Sequence, residues 1–162
     1  MKTLILVRHA KSDWTHDVPD FDRPLNERGH QTAPKMAKFL LDNSVAIDQF
    51  ISSPAKRALT TCRYFAETYG KPKIKKVEDL YEPHPEDFLN TILEANDELQ
   101  SIALFSHNPG ISDYASSLTE NMLELSTCAV AIFEIDCDEW SQFERANKKL
   151  LAFYKPKEVF DN

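Results

Sequence analysis

Near its start the chain carries an unbroken apolar run, Leu4-Ile5-Leu6-Val7, that stops abruptly at Arg8-His9. Consecutive apolar residues without polar alternation suit a strand buried on both faces, as in a parallel sheet covered by helices. The pattern recurs over Ile47 to Ile51 and over Ser101 to Phe105. Further strands are expected at Lys73 to Val77, at Ala129 to Ile135 and at Leu150 to Tyr154. The first of these alternates lysine with apolar residues and reads as a charged sheet edge.

Helical patterns fill the intervals. Asn26 is placed as an N-cap ahead of Ala33, Met36, Ala37, Leu40 and Leu41, which recur at helical spacing. Pro34 conflicts with this helix unless it lies in the first turn, where a missing N–H costs little. Ser53-Pro54 reads as a cap and first helical residue of a helix that runs to Tyr69 and ends at Gly70. Pro85 opens a helix through Phe88, Leu89, Ile92 and Leu93, and Pro109-Gly110 leads into one ending near Leu118. Alternating strands and helices predict an α/β fold, a three-layer sandwich with a mostly parallel central sheet and helices on both faces. With 162 residues and no repeat or linker, the expectation is one domain spanning 1–162.

Charge narrows the partners. Nineteen Lys and Arg against 26 Asp and Glu give a net charge of -7, so neither nucleic acid nor an anionic membrane is an expected partner. The first apolar run is too short for a signal-peptide core or a membrane span. Cys62, Cys128 and Cys137 form no C-x-x-C pair and read as reduced thiols in or near the core. A cytoplasmic location is expected. Nothing in the sequence sets an oligomeric state.

Ligands of open α/β sheets bind beyond the carboxyl ends of the strands. Three strands end in polar groups of one kind: Arg8-His9, Ser52-Ser53-Pro54 followed by Arg57, and Ser106-His107-Asn108-Pro109. If those strands are parallel neighbours, two guanidiniums and two imidazoles converge. Taken singly, a histidine after a strand or an arginine in a first helical turn is an ordinary solvated residue; the set is harder to attribute to chance. Guanidinium forks match phosphate oxygens in two-pronged fashion, and helix N-terminal amides add donors. Neutral imidazole attacks phosphorus and gives a covalent intermediate. Nearby arginines should keep His9 neutral, and its second ring nitrogen must donate to an acceptor such as a backbone carbonyl. No His, Cys and carboxylate spacing suggests a metal, and no cofactor is expected.

The run LVRHAKSDW from Leu6 to Trp14 resembles the signature of the histidine phosphatase superfamily, which includes the cofactor-dependent phosphoglycerate mutases. SSPAKRALTT from Ser52, FSHNPGIS from Phe105 and PLNERG from Pro24 resemble its other motifs in the expected order. The short length is similar to the phosphohistidine phosphatase branch. The resemblance implies a phosphoglycerate mutase-like fold, with His9 as the phosphorylated nucleophile, Arg8 and Arg57 as phosphate clamps and His107 as a donor to the transferring group. Lys11, Ser12 and Asn108 lie near that pocket by position. The superfamily usually has glycine where this chain has Ala10.

Many relatives carry a glutamate general acid after the third strand, which makes Glu82 the natural candidate, with Glu86, Asp87 and Asp13 as rivals. An alkyl alcohol leaving group needs such an acid, typically worth about 10²–10⁴-fold. Phosphohistidine needs one less, because its imidazole can leave already protonated. The leading expectation is therefore a metal-independent phosphatase acting on phosphohistidine in a protein. The alternatives are a small-molecule phosphomonoesterase or mutase, for which a small phosphorylated metabolite is the partner, and a non-catalytic phospholigand-binding module. His16 and His30 read as loop and helix-surface residues, His84 as near the pocket mouth, and Trp14 as a loop anchor.

Overall fold

The computed structural model describes residues 1–160. Its strands are β1 (Lys2–Arg8), β2 (Gln49–Ser52), β3 (Ile74–Lys76), β4 (Ser101–Ser106), β5 (Val130–Ile135) and β6 (Lys148–Tyr154). Helices α1 (Glu27–Asp42), α2 (Lys56–Thr68), α3 (Pro85–Leu93), α4 (Gly110–Ser117) and α5 (Pro156–Phe160) lie between and after them. The six strands form one sheet in the order β3-β2-β4-β1-β5-β6. The first four in that order are parallel, whereas β5 runs antiparallel to β1 and β6 antiparallel to β5. The sheet is thus mostly parallel, as the apolar runs predict, with an antiparallel extension at one side.

Successive strand residues enter opposite cores. Leu4 and Leu6 join Ile102, Leu104, Ala131 and Phe133 on one face, under Phe88 and Ile92 of α3 and Ile111 and Ala115 of α4. Ile5 and Val7 join Ala103, Phe105, Val130 and Ile132 on the other, under Met36 and Leu40 of α1 and Cys62 and Phe65 of α2. Two apolar faces require two helical layers, which explains why the central strands show no polar alternation. All three cysteines are free and buried. No helix among the described residues is long and apolar enough to cross a membrane.

Local signals place most helix ends. Asn26 caps α1, its side chain accepting from the Gly29 amide at 2.8 Å. At the end of α2, Gly70 takes φ 67°, and the Gly70 and Lys71 amides donate to the Glu67 and Ala66 carbonyls. These paired bonds close the helix in a left-handed turn that glycine adopts without steric cost. Two expectations fail. Pro34 lies inside α1, well past its first turn. Interior proline costs roughly 3 kcal/mol, and the helix persists because Ala33, Met36, Ala37 and Leu40 are all fully buried. Ser53 is not the α2 cap either; Ala55 holds that position, and the Ser53 hydroxyl is turned to other partners.

The segment after β1 folds back on the start of α1. The Asp13 amide donates to the Pro24 carbonyl at 2.8 Å, and the Asn26 amide to the Lys11 carbonyl at 3.0 Å. Gly29 is required at this crossing, since a Cβ there would lie 2.2 Å from the Lys11 carbonyl oxygen. Overpacking of this kind costs about 1–3 kcal/mol. Gly29→Ala should lower the unfolding free energy by that amount in urea titration; an unchanged midpoint would mean that the two segments separate freely.

Candidate active site

Parallel pairing of β1, β4 and β2 aligns their carboxyl ends, and the ladder continues past them. The His9 amide donates to the Ser106 carbonyl at 3.2 Å and the Ser53 amide to the Phe105 carbonyl at 2.9 Å. His9, Ser53 and His107 therefore stand at one level. Arg57 joins them from the first turn of α2. A cavity of about 830 Å3 opens at this end of the sheet, and Arg8, His9, Arg57 and His107 all line it. The imidazole centroids of His9 and His107 are 5.2 Å apart.

Hydrogen bonds fix the chemistry of each imidazole. His9 Nδ1 lies 2.7 Å from the Ala10 carbonyl oxygen, which can only accept, so Nδ1 carries the proton and Nε2 keeps its lone pair. The methyl of Ala10 is fully buried, and its amide donates to Thr61 Oγ1 at 2.9 Å. His107 Nε2 lies 2.8 Å from Ser53 Oγ, which itself accepts from the Ala55 amide. A serine hydroxyl can donate or accept in this contact; with the serine donating to Nε2, the His107 proton stands on Nδ1.

Burial, more than neighbouring charge, keeps both rings neutral. The pKa of His9 is lowered to about 3, first by desolvation and then by Arg57, Arg8 and Arg23, against the opposing bond to Ala10. His107 is likewise lowered to about 3, by desolvation first and then by His9 and Arg57. The arginines that the sequence assigns this effect are secondary to the low-dielectric surroundings.

Among the described residues, four buried side-chain nitrogens have no hydrogen-bond partner in the protein: Arg8 Nε, Arg23 Nε, Arg57 Nε and His107 Nδ1. Leaving one such donor unsatisfied costs about 1–3 kcal/mol. All four belong to residues lining the cavity. Three guanidinium donors without acceptors, joined by His107 Nδ1 when that nitrogen carries the proton, are what a multiply charged oxyanion would complete.

Two of the contributing residues are invisible to motif reading. Arg23 is only 7% exposed and lies 3.6 Å over the ring of Trp14. Asp20 receives Arg57 Nη2 and Arg23 Nη2, each at 3.0 Å, and the Tyr81 hydroxyl at 2.6 Å. Those bonds, Tyr81's foremost, hold the Asp20 carboxyl far below the usual carboxylate range. Asp20 is therefore held as a carboxylate that accepts from these three donors.

The other expected residues divide. Lys11 is exposed on the cavity wall. Ser12 lines it too, and its hydroxyl accepts from Arg23 Nη1. Asn108 also lines it, with its amide bonded to the Leu125 carbonyl and to Ser112 Oγ. Of the four candidate acids only Glu82 lines the cavity, exposed and with φ 54°. That backbone region is uncommon for a side chain other than glycine, asparagine or aspartate. Asp87 caps α3 through the His84 amide, and Asp13 is engaged by Thr15 and His16. Trp14 and His84 line the cavity as well.

A family model described as histidine phosphatase superfamily (branch 1) matches residues 4–99, a span that holds Arg8, His9 and Arg57. An uncharacterized protein of Mycobacterium leprae is 27% identical, covering 93% of this chain and 100% of its own length. Phosphoserine phosphatase 1 of Hydrogenobacter thermophilus is 34% identical over 58% of this chain and 52% of its own. Among solved structures, that of a candidate phosphohistidine phosphatase, SixA, from Agrobacterium tumefaciens superposes with TM-score 0.81 at 26% identity, covering 96% of this chain and 98% of that one. The protein histidine phosphatase SixA complexed with tungstate gives TM-score 0.84 at 20% identity over 97% and 99%, a likeness of fold.

The neutral imidazoles tie stability to pH. His107 titrates near 6.5 when unfolded and near 3 when folded. Between those values the unfolded chain binds more protons, so stability falls as pH is lowered. One such imidazole contributes about 1.4 kcal/mol per pH unit. His107→Gln should flatten the dependence of unfolding free energy on pH between 6.5 and 4 by that slope; a parallel curve would show that His107 does not titrate differently in the two states.

Proposed function

Because the chain belongs to the histidine phosphatase superfamily, we propose that it is a metal-independent phosphatase that works through a phosphohistidine on His9 and releases phosphate from phosphohistidine in a protein. The observation that carries the reading is the Ala10 carbonyl on His9 Nδ1, which leaves Nε2 a neutral, lone-pair nucleophile among buried, unpartnered donors.

In the first step Nε2 attacks phosphorus in line, the new N–P bond forms, and the bond to the leaving group breaks with its electron pair. Arg8, Arg57 and the Nδ1–H of His107 would hold the equatorial oxygens as charge spreads over them. The leaving imidazole of phosphohistidine departs neutral if it entered protonated. Water then attacks the phosphoryl group on His9, inorganic phosphate leaves, and Nε2 recovers its lone pair. The Ala10 carbonyl stabilises the ring in one tautomer throughout.

Support for the substrate class comes from the likeness in sequence and fold to the Agrobacterium SixA candidate over nearly the whole of both chains. One observation favours a second reading, hydrolysis of a phosphate ester. Glu82 lines the cavity where an alcohol leaving group would need its proton, and the match to phosphoserine phosphatase 1 has the same direction.

His9→Ala should lower hydrolysis of p-nitrophenyl phosphate by about 10³-fold or more while the fold is retained, and wild-type turnover should persist in excess EDTA. Activity kept by His9→Ala, or lost to EDTA, would overturn the mechanism. Rates on a phosphohistidine protein should exceed those on phosphoserine and 3-phosphoglycerate. A faster ester reaction that Glu82→Gln suppresses would establish the second reading instead.

A further inference from the structure

We infer that Asp20 is a positioning residue that aims two guanidiniums at the phosphoryl site, and that one of them, Arg23, is a third arginine that binds the phosphoryl oxygens. The inference deepens the phosphatase reading and rests on it.

One acidic residue gathers both side chains. Arg57 Nη1 donates to the Asp20 backbone carbonyl at 2.7 Å and Arg57 Nη2 to Oδ2 at 3.0 Å. Arg23 Nη2 donates to Oδ1 at 3.0 Å, while its Nη1 donates to Ser12 Oγ. Each carboxylate oxygen thus holds a different guanidinium, and the Tyr81 hydroxyl steadies Oδ2. In both arginines the Nη ends are tied to protein, whereas Nε is buried without a partner. Arg8 follows the same plan, with Nη1 on the Leu125 carbonyl and Nε unpartnered.

A guanidinium can meet a tetrahedral anion through its end, formed by two Nη groups, or through its side, formed by Nε and one Nη. Asp20 takes the end of Arg57 and, with Ser12, the end of Arg23. The side edges are left for the anion. Arg23 is not a solvated surface residue, because it is buried and its guanidinium carbon sits 3.6 Å from the centre of the Trp14 ring. Asp20 and Ser12 each hold one Nη group, so together they fix the orientation of the guanidinium, with Trp14 packed beside it.

A carboxylate among arginines could also be a competitor that the phosphoryl group must displace. The two roles predict opposite signs. Removing a competitor tightens anion binding, whereas removing an aiming group weakens it despite the loss of a repelling charge. Asp20 engages the Nη ends and leaves Nε, which is the arrangement of an aiming group.

The test measures tungstate affinity by calorimetry and p-nitrophenyl phosphate kinetics for the wild type, Asp20→Ala, Asp20→Asn and Arg23→Lys. Asp20→Ala and Arg23→Lys should each weaken tungstate binding about tenfold, raise KM by a similar factor and change kcat less. Asp20→Asn should fall between Asp20→Ala and the wild type. Melting temperature without anion should fall for Asp20→Ala, because buried Nη groups of Arg23 and Arg57 lose their acceptor, so binding is compared at a temperature where circular dichroism shows each variant folded. Should Asp20→Ala misfold, Tyr81→Phe provides a second measurement and should weaken tungstate binding about two- to threefold. Variants that bind tungstate as tightly as the wild type, or more tightly, would overturn this inference alone. A wild type that neither binds tungstate nor hydrolyses the ester would overturn the phosphatase reading with it.

Discussion

The His9 amide reaches the Ser106 carbonyl and the Ser53 amide the Phe105 carbonyl, so the hydrogen-bond ladder outlasts the strands it belongs to. Everything at the candidate active site is measured from that extension. Because β4 lies between β1 and β2 and runs parallel to both, a fixed register brings three chain reversals to one edge. A one-residue slip in any of these strands would turn His9, Ser53 or His107 toward the opposite face. The two apolar cores make such a slip expensive, since Leu6 and Val7 would exchange environments. The positioning of the site is thereby coupled to the burial that stabilises the fold.

Electrostatics at that edge opposes the character of the rest of the molecule. A chain of net charge -7 gathers three arginines around one cavity, Arg23 and Arg57 buried and Arg8 partly so, with Asp20 as the carboxylate that pairs with the two buried ones. Burial raises the value of each charge–anion contact by excluding water, and it also suppresses imidazolium. Those two consequences serve one end: the guanidiniums remain cations while His9 remains an uncharged base. Were the site wetter, His9 would titrate nearer its ordinary value and part of the population would lose the lone pair on Nε2. Asp20, held as a carboxylate by Tyr81 and the two arginines, is committed to those contacts, whereas Glu82 and Asp113 are the other carboxyl groups on the cavity wall.

Much of this was legible in the residues themselves. The run Leu4 to Val7 reports a two-sided strand because each side chain must meet a helix layer, and both layers are present. The Arg-His pair at the strand end, together with Arg57 and His107, could be brought to one place by the rule that parallel sheets present their ligands at the carboxyl edge. Local cap signals were less dependable. Ser53 has the side chain of a helix cap, yet it is drawn to His107, a partner far along the chain that no local pattern reveals. Pro34 is tolerated in a helix interior for a tertiary reason, the burial of its neighbours. The antiparallel turn of β5 and β6 has no period that distinguishes it from a parallel strand. Asp20 and Arg23 escaped for the same cause as Ser53. Their meaning lies in contacts to Arg57, Ser12, Trp14 and Tyr81, and a loop rich in aspartate and proline reads as solvated until those contacts are seen.

The central claim is that the lone pair of His9 Nε2 accepts the phosphoryl group. Mixing the protein with p-nitrophenyl phosphate, quenching in base within the first turnover and mapping peptides by mass spectrometry addresses it directly. The account predicts a phosphoryl mass addition on His9 that survives base and disappears in acid. Product released in a burst with the addition found on another side chain, or with no protein-bound phosphoryl group at any quench time, would contradict it.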